Sequence, residues 1–159
     1  MSESYRLGAD IGGTFTDLVL EMLEESPFYR GLPKDHSTIS NNLQECAENG
    51  ILLTALSGPQ IVGYLAGLAV PMEIHSDQLM TVERGLYVKP EYRQHGLAKQ
   101  LLDTYERWAS AIGATLITLG VTTEIDPERT YRFYERLGYH NSGRVFTKKV
   151  PTCVEDSSL

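Results

Sequence analysis

Residues 81–112, TVERGLYVKPEYRQHGLAKQLLDTYERWASAI, constrain the fold of this chain more than any other stretch. From Thr81 to Val88, β-branched and aromatic residues recur as in a strand, and Lys89-Pro90 ends it because proline has no N–H to give to a ladder. From Leu97 onward, Leu97, Leu101, Tyr105, Trp108 and Ile112 recur at steps of three or four, which is one face of an amphipathic helix. Between the two lies Arg93-Gln94-His95-Gly96-Leu97-Ala98, a basic turn that runs straight into a helix N-terminus. The first turn of a helix carries unpaired N–H groups and the positive end of its dipole, so such a junction suits an anion. Gly96 permits close backbone approach, the small Ala98 leaves room for a phosphate, and Arg93 adds a positive charge. An ordinary strand-to-helix turn with a solvated basic rim is the other reading of these residues taken alone.

A chain of 159 residues with 42% hydrophobic content supports one packed core, expected over residues 1–150 with a polar tail at 151–159. Its net charge of −7 argues against a nucleic-acid platform and fits a cationic or amine-bearing partner. Cys46 and Cys153 have neither metal-binding nor redox spacing, so no metal and a reduced, cytoplasmic compartment are expected. The longest apolar run, residues 61–72, is too short to span a bilayer, and the N-terminus lacks a basic segment followed by an apolar one. A soluble, unprocessed chain away from membranes is the expectation.

Residues 5–9 have the pattern of a short strand, and Asp10-Ile11-Gly12-Gly13 that of a turn. Phe15, Leu18, Val19, Met22 and Leu23 then sit at helical spacing, and Thr14 with Asp17 fits an N-terminal capping box. Glu24-Glu25-Ser26-Pro27 ends that helix. Residues 28–33 make an aromatic and basic connector, in which Phe28 and Tyr29 either staple two helices to the core or face a bound molecule. A second helix is predicted near residues 37–49, with Ile39, Leu43, Cys46 and Ala47 on one face and Asn49-Gly50 as its stop. Strands over 51–56 and 60–70 join through Ser57-Gly58-Pro59, and a polar loop at 71–77 leads into the strand at 79–88. Beyond the helix at 97–112, closed by Gly113, the apolar run at 115–121 predicts a strand covered on both faces. Asp126 caps a last helix with Pro127 in first position and Gly138 at its end, and strands at 139–140 and 144–150 follow.

That order, β-α-α-β-β-β-α-β-α-β-β, is a mixed α/β, mainly antiparallel sheet with flanking helices. The string VKPEYRQHGLAKQLL resembles the acetyl-CoA pyrophosphate-binding motif of the GNAT family of N-acetyltransferases, written Gln/Arg-x-x-Gly-x-Gly/Ala, with Arg93, Gly96 and Ala98 in its fixed positions. Phe133-Tyr134-Glu135-Arg136-Leu137-Gly138-Tyr139 is similar to the family's C-terminal signature of Tyr, two charged residues, Leu, Gly and an aromatic. The likeness covers residues 50–148 and extends more weakly to the N-terminus. It implies the acyl-CoA N-acyltransferase (GNAT) fold and transfer of an acetyl group from acetyl-CoA to a primary amine by direct attack in a ternary complex. It implies acetyl-CoA contacts from Leu86, Tyr87 and Val88 on the strand and from Arg93, Gln94, His95, Gly96, Leu97, Ala98 and Lys99, with Tyr134 protonating the departing thiolate. Family members often carry an Asn and an Ala seven and four residues before that Tyr; Pro127 and Thr130 stand there here, leaving Thr122, Thr123 or Glu124 to meet the pantetheine arm.

Glu83 is the candidate base, acting directly or through a water; otherwise it is a solvated strand carboxylate paired with Arg84 or Arg144. His75 and His95 are the alternatives. Gly85 suits a bulge that opens the strand's edge, and a one-residue shift there decides which way Glu83 faces. The resemblance places the connector on the acceptor wall, where Glu24 and Glu25 would attract an ammonium group and Phe28 and Tyr29 would pack on its stem. Small amines, aminoglycosides, peptide N-termini and protein lysines all remain as acceptors, and both monomer and homodimer remain open. Two other functions compete: a GNAT-like regulatory module that binds CoA without turnover, and a phosphotransferase. The latter rests on LGADIGGTFTDLVL, which looks like the phosphate-binding hairpin of the hydantoinase/oxoprolinase group of actin-like ATPases. It would make residues 15–20 a strand, against their helical spacing, and would need two large lobes that 159 residues do not supply.

Overall fold

A computed structural model describes residues 13–143, 145–148 and 150. The chain forms two compact units, Met1–Ile125 and Asp126–Leu159. In the first, helices α1 (Gly13–Glu25) and α2 (His36–Asn49) precede strands β1 (Gly50–Ser57), β2 (Gln60–Met72) and β3 (His75–Val88). A 3-10 turn (Pro90–His95), helix α3 (Leu97–Ala111) and strand β4 (Ala114–Thr118) follow. The sheet order is β1-β2-β3-β4, with antiparallel pairs except for β4, which runs parallel to β3.

The N-terminal string is helical from Gly13 onward. Phe15, Leu18, Val19 and Met22 bury one stripe of α1 against Leu43 and Cys46 of α2 and against Leu52, Tyr64, Ala66 and Tyr87 of the sheet. That stripe leaves no place for a phosphate-binding hairpin strand at residues 15–20. The strand expected at residues 5–9 lies outside the described residues, as does most of the turn after it. Asp35 caps α2, its carboxylate accepting from the Ser37 and Thr38 amides at 3.2 Å each. Hydrogen bonds from the Thr38 and then the Ser37 hydroxyl draw its pKa down to about 2.

The other face of the sheet belongs to α3, which buries Leu97, Leu101, Leu102, Tyr105 and Ala109. Leu101 and Leu102 are fully inaccessible, and burial of each contributes about 2 kcal/mol. The two faces meet their aromatic residues through glycines. A Cβ on Gly67 would stand 2.5 Å from the Tyr105 ring, and one on Gly85 would stand 2.6 Å from the Tyr64 hydroxyl. The bulge predicted near Gly85 falls one residue earlier: Ala66 pairs with Gly85 and Gly67 with Glu83, which leaves Arg84 unopposed.

In the first unit, two segments differ from the sequence expectation. The polar loop at 71–77 shrinks to a turn at residues 73–74, because Pro71 pairs with Leu79 and Met72 with His75 and the ladder carries the exposed polar side chains along. β4 is not covered on both faces: Thr115 is exposed and Leu116 is 45% accessible. α3 packs on β4, whereas α1 and α2 lie over β1 and β2. A continuous apolar run says that a strand is buried somewhere, not that helices cover both its sides.

The second unit contains α4 (Pro127–Arg136), capped by Asp126, whose carboxylate accepts from the Arg129 amide at 3.3 Å. Gly138, at φ +94°, ends it. The strands expected at 139–140 and 144–150 are absent from the described residues there. Val145, Phe146 and Val150 are all exposed, and strand-forming side chains do not make a strand without a ladder partner.

Candidate functional site

β3 outruns β4. The parallel pairing stops at Val82 and Thr118, so among the described residues the segment from Glu83 to Val88 has a strand neighbour on the β2 side only. Lys89 N–H bonds back to the Val62 carbonyl of β2 at 2.9 Å. Alternation in an antiparallel ladder therefore turns the amides of Leu86 and Val88 away from β2, toward the open edge, and those of Tyr87 toward β2. Of the outward groups, the Val88 carbonyl is taken by the Arg93 side chain. Tyr87 instead contributes its buried ring, on the α1 face.

Glu83 stands where β3 and β4 separate. Its Oε2 accepts the Gly120 N–H at 3.1 Å, and the side chain is partly buried. Loss of hydration pushes its pKa up to about 7, against the smaller opposing effects of the Gly120 hydrogen bond and the Arg84 charge. Such a carboxyl group is about half ionised at neutral pH, able to take a proton and to give it up. His75 and His95 are both exposed, and the His95 Nδ1 lies 3.3 Å from the Tyr92 carbonyl.

Beyond Val88 the chain makes its 3-10 turn, and Gly96 (φ +73°, ψ 9°) swings it into α3. This left-handed conformation is strained for residues with a Cβ. Among the described residues no side chain caps the α3 N-terminus, and the space over Gly96 where a Cβ would point is open. Gln94, His95, Gly96 and Lys99 are exposed while Leu97 is buried as the anchor, with Ala98 between these extremes. Backbone donors at a helix start, with open space above Gly96, fit a diphosphate group. The Lys99 ammonium is paired with Asp103 at 2.7 Å.

Arg93 does not reach toward that opening. Its Nη1 and Nη2 hold the two oxygens of Glu25 at 2.7 and 2.6 Å. Tyr87 donates its hydroxyl to the same carboxylate at 2.9 Å. Sequence reasoning placed Glu25 on the acceptor wall and missed this role, because nothing in local spacing joins residues 68 positions apart.

The connector after α1 is fastened as well. The Ser26 hydroxyl, fully buried, donates to the Thr123 carbonyl and accepts from the Tyr29 amide. Phe28 and Tyr29 pack edge to face at 4.8 Å and are half-buried. Glu24 is paired with Lys34 at 2.5 Å and Glu25 with Arg93. The pair of carboxylates read as bait for an ammonium group is thus already neutralised by the protein's own cations. In the second unit, Tyr134 is 8% exposed, with its ring 5.7 Å from Phe133 and 5.9 Å from Tyr139. The structure therefore brings Glu83, the β3 edge and the turn at residues 93–99 together in one unit, and holds Tyr134 on α4 of the other.

A family model of the acetyltransferase (GNAT) family matches residues 17–139. The chain is 33% identical over 61 residues to an aminoglycoside N(6')-acetyltransferase type 1 from Acinetobacter genomosp. 13; the match covers 38% of this chain and only 40% of that relative's length. Its structure is similar to that of a transcriptional regulator from Bacillus halodurans C-125, with a TM-score of 0.74 and 21% identity over 94% of this chain and 100% of the other. It is also similar to an aminoglycoside acetyltransferase from an uncultured soil metagenomic sample, with a TM-score of 0.68 and 23% identity over 96% and 99% of the two chains. At these identities the structural likeness shows the fold.

Proposed function

The chain belongs to the acetyltransferase (GNAT) family, and on that footing we propose that it moves the acetyl group of acetyl-CoA to a primary amine by direct attack in a ternary complex. The match gives the family; the turnover, the donor, the acceptor and the residue roles are our reading. The observation that carries it is Glu83, a carboxyl group with a pKa of about 7 set beside the stretch of β3 that, among the described residues, β4 leaves without a strand neighbour.

Bound acetyl-CoA supplies the activated acetyl thioester. The α3 N-terminus, with the backbone of residues 94–99, holds its diphosphate, and the outward amides of Leu86 and Val88 align its arm as an added strand would be aligned. An outward N–H on that edge also polarises the reacting carbonyl. Glu83 removes the proton of the incoming ammonium, directly or through a water, so that a neutral amine attacks. Tyr134, the tyrosine of the C-terminal signature, gives its proton to the departing thiolate. The partial match to an aminoglycoside acetyltransferase supports a small amine-bearing acceptor, which the net charge of −7 also favours.

The test is acetyl-CoA with a panel of aminoglycosides, simple amines, a peptide and a lysine-bearing protein, followed by release of free thiol. Acetyl-CoA binding without turnover on any amine would leave a silent CoA-binding module instead. Two variants probe the roles. Tyr134→Phe is expected to lower kcat by about 10²-fold, since a positioned acid acts mainly as the thiolate forms, while the Kd for acetyl-CoA stays near the wild-type value. Wild-type turnover, under conditions where chemistry limits the rate, would return Tyr134 to a packing role. Truncating Phe28 and Tyr29 together to alanine is expected to raise the acceptor KM about tenfold, the scale of a lost cation–π contact, and to move the acetyl-CoA KM much less. Equal changes in both constants would mean that the rings only secure the connector.

A further inference from the structure

The Arg93 guanidinium is engaged within the protein on three sides. Its Nε donates to the Val88 carbonyl at 2.8 Å, at the end of the β3 edge. Its Nη1 and Nη2 form a two-pronged pair with Glu25, and its plane lies over the Tyr87 ring, 5.4 Å from the centroid. The Glu25 carboxylate is held ionised, chiefly by the Arg93 hydrogen bonds and further by the Tyr87 hydroxyl, which outweigh its partial burial. A fork-to-fork pair fixes orientation as well as charge, which a single lysine contact does not.

Glu25 is also the last residue of α1. Its neighbour Ser26 anchors the connector that carries Phe28 and Tyr29. Arg93 sits in the 3-10 turn, three residues before Gly96, where the chain swings into α3. One carboxylate thus joins the start of the connector, the open strand edge and the turn at the head of α3.

We propose that Glu25 is a positioning residue for acetyl transfer: through Arg93 it holds the diphosphate turn in place, and Arg93 acts as a crosspiece rather than as a phosphate ligand. This rests on the acetyltransferase reading above. The two roles of Arg93 differ in sign. Were the guanidinium a phosphate ligand restrained by Glu25, removing the carboxylate would release a cation and tighten CoA binding. As a crosspiece, it loses its hold on the turn and binding weakens.

Calorimetric titration of CoA into wild type, Glu25→Gln, Arg93→Met and the double variant decides between them, with melting temperatures to confirm folded protein. The proposal expects each single variant to bind CoA about tenfold more weakly, the effect of losing a charge-assisted hydrogen-bonded pair. The double variant should be no weaker than either single, since both remove one interaction. In turnover, Glu25→Gln should raise the acetyl-CoA KM by a larger factor than it lowers kcat, a split that general loosening of the fold does not produce. Should Glu25→Gln fail to fold, Glu25→Asp keeps the charge, shortens the reach and is expected to give an intermediate loss. Unchanged or tighter CoA binding by either Glu25 variant, or losses that multiply in the double variant, overturns the proposal. Failure of the wild-type protein to bind CoA would instead overturn the acetyltransferase reading.

Discussion

The Glu83→Gln variant is expected to turn over its amine about 10²- to 10⁴-fold more slowly than wild type, the range for loss of a positioned base, while remaining folded. Glutamine keeps an acceptor for the Gly120 N–H and cannot take a proton. The pH dependence sharpens the test. With Glu83 at about 7, wild-type kcat/KM should climb as pH rises toward 7 and level off above it, and the variant should lack that limb. Amines of different basicity separate this limb from ionisation of the acceptor itself. Stability moves in the opposite direction. The carboxyl pKa is raised from an ordinary 4.5 to about 7, so between those values the native state binds more protons than the unfolded chain. The associated stability is fully present below pH 4.5 and is lost as pH rises through 7, by up to about 3 kcal/mol. Glu83→Gln should therefore melt higher than wild type at pH 8, with a smaller advantage at pH 4. A variant with wild-type turnover and an unchanged pH profile would remove Glu83 from the chemistry.

Gly96→Asp is expected to weaken CoA binding by about 10³-fold, measured by titration on protein whose circular dichroism matches wild type. The Cβ would enter the open space above the turn, and at φ +73° a side chain also strains the backbone by roughly 1–2 kcal/mol. The larger effect is the carboxylate: a like charge about 4 Å from a phosphate is unfavourable by ~4 kcal/mol at a partly screened surface site. Gly96→Ala separates the two effects, because it introduces the strain without the charge. Unchanged affinity in folded Gly96→Asp would sink the assignment of this turn to the diphosphate.

Local pattern carried most of the framework. The period of Leu97, Leu101, Tyr105 and Trp108 gave α3 to within a residue at its end, and Asp126-Pro127 marked the start of α4. The 3-10 turn at Pro90–His95 was not readable, since a single short turn has no repeating face. The length of β3 and the exposure of β4 depended on which backbone partner and which helix lay alongside, and neither is written into a strand's own residues. The candidate site divides the same way. Residues of the strand, turn and helix could be singled out from one contiguous stretch, and Glu83 came with them. Its environment could not, because its orientation turns on a bulge at Arg84 and its hydrogen-bond donor is Gly120, 37 positions away. The pairings Glu25–Arg93 and Glu24–Lys34 removed two charges that composition alone had left available.

The parallel attachment of β4 has a consequence for how the molecule comes together. β1, β2 and β3 join through tight turns, so their ladders close short loops, whereas β4 returns to β3 only after the 3-10 turn and all of α3. Longer loops carry a larger entropic penalty, and pairings distant in sequence form late. By that rule the antiparallel meander joins before β4 docks on its edge. The gap beside Glu83 thus lies at the last-joined edge of this sheet, and local opening there breaks the short β4 pairing and its packing on α3 while it leaves the hairpins standing.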